Sequence, residues 1–132
     1  MRHLIDTMIC SAYLKGVSSV FSKFVQHGGG LAVSTITVGE LFVWAHRSHA
    51  ATDRLRSLQE FLQDITVLDV TVDVATRFGE VRSTLLDSGR PVPQLDLFIA
   101  VTALVHDLIL VTHNVKDFAP VPGLTVIDWL EP

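Results

Sequence analysis

An α/β fold of three layers, with a short, mostly parallel sheet covered on both faces by helices, is what two patterns in this chain predict. Short apolar runs such as 31–34 and 65–68 alternate with longer stretches of helical spacing such as 72–88. The short runs are nearly all apolar, as burial on both faces of a sheet requires. Residues 3–5 read as the first strand. Residues 9–26 read as helix, in one piece or broken at Gly16, and Gly28-Gly29-Gly30 ends it because consecutive glycines do not sustain a helix. Residues 31–34 form the second strand. Thr37 to about His49 and about Ala51 to Gln63 are the next two helices, and Ile65–Leu68 is the third strand. Val74, Phe78, Val81 and Leu85 recur at helical spacing within 72–88. A loop at 89–93 leads to a helix over 95–106, a strand at Leu108–Val111 and a last strand at Leu124–Ile127.

The 132 residues contain no linker, repeat or low-complexity stretch, which predicts one domain over 1–132 with a real core. Hydrophobic content is 48% and mean hydropathy is +0.42, which argues against a disordered chain. That apolar surplus also suggests a buried partner surface. No apolar stretch is long enough for a bilayer, so no membrane association is expected. No signal peptide is read at the N-terminus, where Asp6 interrupts the apolar run. One cysteine, Cys10, excludes an internal disulfide and a cysteine zinc cage, and a reducing cytoplasm fits.

Four acids stand at junctions between apolar runs and helices: Asp6, Glu40, Asp96 and Asp117. In an open α/β sheet, ligands gather beyond the carboxyl ends of the strands. Carboxylates converging there repel one another unless cations hold them. Oxygen-only ligands of that charge suit Mg²⁺ or Mn²⁺, so the pattern points to metal-dependent phosphoryl transfer. The net charge of −4 argues against strong, non-specific duplex binding. Without the four acids the remaining charges balance at ten of each sign, so an RNA substrate held through metal remains compatible.

Each acid also has a local reading. Asp6 and Asp96 suit the first turn of a helix, by capping and by the helix dipole. Thr37-x-x-Glu40 fits a capping box, and Asp117 near Asn114 fits a turn. Four such coincidences on one sheet edge favour a site. His46-x-x-His49 puts two imidazoles on one helix face and is read as an exposed surface. His27-Gly28-Gly29-Gly30 is read as a turn, since the serine elbow of an esterase is absent. Phe21, Phe24, Phe42, Phe61 and Phe78 are assigned to the core, while Trp44 and Trp129 fit core or surface.

The same residues resemble the PIN domain, and within it the VapC toxins of bacterial toxin–antitoxin pairs. Leu4-Ile5-Asp6-Thr7-Met8-Ile9 looks like the family's Leu-Leu-Asp-Thr-Asn-Ile. Thr37 to Leu41 looks like Thr-x-x-Glu-Leu, and Pro93 to Leu104 is similar to the segment Asp-x-x-Ile-Ala-Ala-x-Ala. Thr112 to Phe118 looks like Thr-x-Asn-x-x-Asp-Phe. One departure is Met8, where the family usually has Asn. The resemblance covers the whole chain and implies a PIN-like fold with a Mg²⁺-dependent endoribonuclease activity, Mn²⁺ being a possible substitute. It also implies a homodimer inhibited by a small VapB-like antitoxin.

On this reading Asp6, Glu40, Asp96 and Asp117 are catalytic, and Asp6, Asp96 and Asp117 bind the metal. Thr7, Thr112 and Asn114 support them. Arg90, His113 and Lys116 lie in nearby loops and are candidates for RNA phosphates. Helices around Phe42 and Trp44 offer a groove for an amphipathic partner segment. A metal-dependent phosphatase using Asp6 as nucleophile is a rival, but such enzymes place a second Asp where this chain has Met8. A catalytically weak PIN-like interaction module is the other rival.

Overall fold

A computed structural model describes residues 2–131. The strands are β1 (His3–Ile5), β2 (Leu31–Ser34), β3 (Thr66–Leu68), β4 (Ile109–Val111) and β5 (Val126–Ile127). The helices are α1 (Thr7–Leu14), α2 (Ser18–Gln26), α3 (Thr35–His46), α4 (Ala51–Gln63), α5 (Val72–Ser88), α6 (Gln94–Val105) and α7 (Val115–Phe118). The strands form a single sheet in the order β3-β2-β1-β4-β5, and every pairing is parallel. β1 is central, with His3 beside Leu31 on one side and Ile5 beside Val111 on the other. The chain winds outward from β1 to β2 and β3, then returns to the opposite side of β1 for β4 and β5. That reversal makes the crevice between β1 and β4 the topological switch point, where open sheets of this kind bind ligands.

Strand side chains alternate between two cores, because successive residues of a strand face opposite sides. Leu4, Ala32 and Leu110 pack with α5 and α6 through Val81, Leu85, Leu97 and Val101. Ile5, Val33 and Val111 pack with α1 to α4 through Ile9, Val20, Leu41 and Leu58. This is the three-layer α/β/α arrangement expected. Gly16, at φ +81°, separates α1 from α2, which settles the 9–26 stretch as two helices.

Several bounds differ from expectation. α1 starts directly after Asp6, because the Asp6 carboxylate caps it. α3 starts at Thr35, where Ser34 accepts a hydrogen bond from the Ile36 amide. Its end at His46 leaves His49 in the following turn, so the two histidines do not share a helix face. β3 is an edge strand, and its Thr66 and Val67 are exposed rather than buried. The one-turn α7 was not expected. Phe24 and Phe61 are buried and Phe42 and Phe78 partly so, but Phe21 is 50% exposed. Among the described residues no helix is long and apolar enough to cross a membrane.

Candidate active site

The carboxyl ends of β1 and β4 meet through a threonine. The Asp6 amide donates to the Val111 carbonyl at 2.9 Å, which fixes Asp6 against the end of β4. Thr112, the next residue, is fully buried and donates its hydroxyl to Asp6 Oδ2 at 2.7 Å. The same hydroxyl accepts the Asn114 amide at 3.1 Å, so its direction is set from both sides. Asp6 Oδ1 accepts the Thr7 amide at 2.8 Å. Asp6 is therefore both a helix cap and a member of the crevice, with one oxygen committed to each.

Glu40 does not close a capping box. Thr37 lies inside α3 and is fully buried, and the capping role belongs to Ser34. Glu40 Oε1 instead accepts the Thr7 hydroxyl at 2.6 Å, and the Thr37 and Thr7 hydroxyl oxygens stand 3.4 Å apart. Helix α3 thus carries Glu40 toward Asp6 through Thr7. Asp96 lies in the first turn of α6 and Asp117 in α7. Thr37 is the one residue of this network that the sequence motifs do not single out as a support. Its place at the head of the Thr-x-x-Glu-Leu pattern was the available signal.

Electrostatics ties the four acids together. Burial, followed by the charges of Asp6, Glu40 and Asp117, pushes the Asp96 carboxyl up to about 6. Burial also raises Asp6, against the hydrogen bonds from Thr112 and Thr7, which favour its charged form. A set of oxygen donors whose ionisation is opposed by mutual repulsion is suited to a hard divalent cation. The chain thus presents acids able to hold such an ion. No three of the four offer oxygens within 4.8 Å of one another among the described residues.

Arg90 is exposed in the loop between α5 and α6, and Lys116 is exposed in α7. His113 stands at the exit of β4, and its Nδ1 lies 2.9 Å from Asp128 Oδ2. Asp128 and Glu131 were not singled out from the sequence, although Asp128 follows β5 as Asp6 follows β1. In the helices around Trp44, the Arg54 guanidinium covers the Trp44 ring at 4.2 Å. A cavity of about 440 Å³ lies elsewhere, lined by Tyr13, Phe21, Phe24, Val25, Phe61 and Ile65 among others.

The family model for the PIN domain matches residues 4–124. The chain is 35% identical over 130 residues to a Shigella flexneri protein named tRNA(fMet)-specific endonuclease VapC, covering 98% of each. It is 30% identical over 131 residues to ribonuclease VapC2 of Haemophilus influenzae, covering 98% of this chain and 99% of that one. Its fold superposes with a TM-score of 0.92 on the crystal structure of DNA-bound VapBC from Salmonella typhimurium, at 29% identity and 98% of each chain. VapBC-1 of nontypeable Haemophilus influenzae gives 0.86 at 28% identity, over 99% of this chain and 100% of that one. This chain belongs to the PIN-domain family, in the branch that contains the VapC proteins.

Proposed function

We propose that this chain is a divalent-metal-dependent endoribonuclease and the toxin of a type II toxin–antitoxin pair. The observation that carries the reading is Asp6 fixed by Thr112 at the β1–β4 switch point, with Glu40 bonded to the neighbouring Thr7. Family membership supplies the activity class: the similar proteins are named ribonucleases and a tRNA-specific endonuclease. Asp6, Asp96 and Asp117 would hold the ion, with Mg²⁺ preferred and Mn²⁺ as substitute. When bound, the ion supplies Lewis acidity toward the scissile phosphate and a water of lowered pKa.

The chain's own groups do the rest. Glu40, steadied by Thr7, orients the attacking water and takes its proton. Thr112 and Asn114 keep Asp6 aimed at the crevice. Attack in line leaves a 3′-hydroxyl and a 5′-phosphate. Arg90 and Lys116 supply cations for RNA phosphates. His113 has only Nε2 left for that role, since Nδ1 faces Asp128.

The partner is a small VapB-like antitoxin in the cytoplasm, acting on a homodimer of this single-domain chain. The solved structures of similar fold include VapBC complexes. An amphipathic segment would place its apolar face in the cavity bounded by Tyr13, Phe21, Phe24 and Phe61, and its basic tail across the acids.

The test is cleavage of total RNA by purified chain with and without Mg²⁺, followed by sequencing of 5′-phosphate ends. Asp6→Asn and Asp96→Asn should abolish discrete ends. Glu40→Gln should slow cleavage by about 10²–10⁴-fold, as loss of a general base does. Mg²⁺ should also raise the melting temperature of the wild type and not of Asp6→Asn/Asp96→Asn. Discrete ends that persist in both Asp variants would refute the assignment.

A further inference from the structure

We propose that His113, Asp128 and Glu131 form a second cation site that takes a divalent transition ion such as Zn²⁺. The site goes beyond the nuclease reading and does not depend on it. Parallel pairing of β4 and β5 sets Val111 beside Ile127, so the residues leaving the two strands emerge side by side. One donor atom from each of His113, Asp128 and Glu131 falls within 4.8 Å of the others. They line a cavity of about 410 Å³, with Asn114, Lys116 and Asp117 on its other walls, so an ion and its waters have room.

Two features favour an ion over a plain His–Asp pair. Asp128 is preorganised: its side chain is only 8% exposed, and Oδ1 is fixed by the Leu130 amide at 2.8 Å. Charge agrees as well, because Asp117, Asp128 and Glu131 face a single lysine, Lys116, around the cavity. Glu131 has no ion-pair partner among the described residues. The imidazole decides the class of ion. One nitrogen and two oxygens suit Zn²⁺ and its neighbours rather than Mg²⁺. The ion would take the place of the proton between Nδ1 and Oδ2, and the imidazole would keep its proton on Nε2. Its structural effect would be to tie residues 128–131 to the β4–α7 loop that leads into Asp117.

The four acids offer only oxygen, so a nitrogen ligand identifies the second site. Zn²⁺ binding to the full chain is measured by titration calorimetry, and Cu²⁺ is used as the spin-resonance probe for nitrogen coupling. Wild type and Asp6→Asn/Asp96→Asn should both bind Zn²⁺ and show one coupled nitrogen. His113→Ala should lose that signal, and Glu131→Gln should bind at least about tenfold more weakly, the scale on which altered metal surroundings act. Both variants replace exposed side chains, and circular dichroism checks their fold. Nitrogen coupling that survives His113→Ala would overturn the proposal. So would unchanged affinity in Glu131→Gln, no Zn²⁺ binding by wild type, or loss of all binding in Asp6→Asn/Asp96→Asn.

Discussion

Two threonines, one after each strand that flanks the crevice, hold the carboxylates there. Thr112 gives its proton to Asp6 and receives the Asn114 amide, while Thr7 gives its proton to Glu40. Thr112→Val keeps the volume but removes both bonds from a fully buried position. Stability should fall by about 1–3 kcal/mol in urea melts, because the Asn114 amide loses its acceptor. Metal affinity should fall roughly 10–100-fold, the usual cost of losing a group that orients a ligand, and Thr112→Ser should restore most of it. Thr7→Val separates the two roles. It frees Glu40 while leaving the Asp6 cap, which uses the Thr7 backbone amide. Cleavage should therefore slow with metal affinity nearly unchanged, and equal loss of both would show that Thr7 also shapes the Asp6 geometry. Met8 is 42% exposed beside Thr7. Met8→Asn should change stability by no more than about 0.5 kcal/mol, since nothing packs fully over it.

At the scale of elements, the starts of the helices separate capping from chemistry. Ser34 caps α3 and Thr71 caps α5, each through its own hydroxyl. Ser34→Ala should cost about 1 kcal/mol in thermal or urea unfolding. Glu40→Gln should leave α3 intact in the same assay, because Glu40 bonds to Thr7 rather than to the start of its own helix. The α5 helix was legible to the residue, since its apolar spacing runs from Val74 to Leu85 and Gly89 stops it at φ +67°. The start of α3 was not, because Thr37-x-x-Glu40 imitates a capping box and local pattern carries no trace of Thr7, thirty residues away. The one-turn α7 is too short to show a period, so Asp117 read as part of a turn. Asp6, Asp96 and their apolar neighbours were legible because strand ends and helix starts have local signals. The pairing of His113 with Asp128 was not, since it depends on the β4–β5 register.

Across the whole molecule, the switch in strand order brings together acids from the end of β1, the middle of α3, the first turn of α6 and α7, and burial together with their mutual charge makes stability depend on pH. Asp96 ionises in the folded chain only near pH 6, against an ordinary value of 3.8. The folded state therefore binds more protons than the unfolded chain between those values. The sign follows: the contribution of protonated Asp96 is fully present below about pH 3.8 and is lost as pH rises through about 6. His3, buried at the other end of β1, acts in the opposite sense. Burial, with the charges of His27 and Arg2, lowers its pKa, so its neutral form favours folding above about 6.5 and that contribution is lost on acidification. A melting curve of the wild type alone would mix the two trends. The difference between wild type and Asp96→Asn isolates the acid, since His3 is common to both. That difference should move in favour of Asp96→Asn as pH rises from about 4 and level off above about 6. A divalent cation at neutral pH should reverse it, because the ion stabilises the ionised carboxylate and has less hold on the amide. A difference that stays flat across this range, with and without the ion, would mean that Asp96 does not feel Asp6, Glu40 and Asp117, and the four acids would no longer form one site.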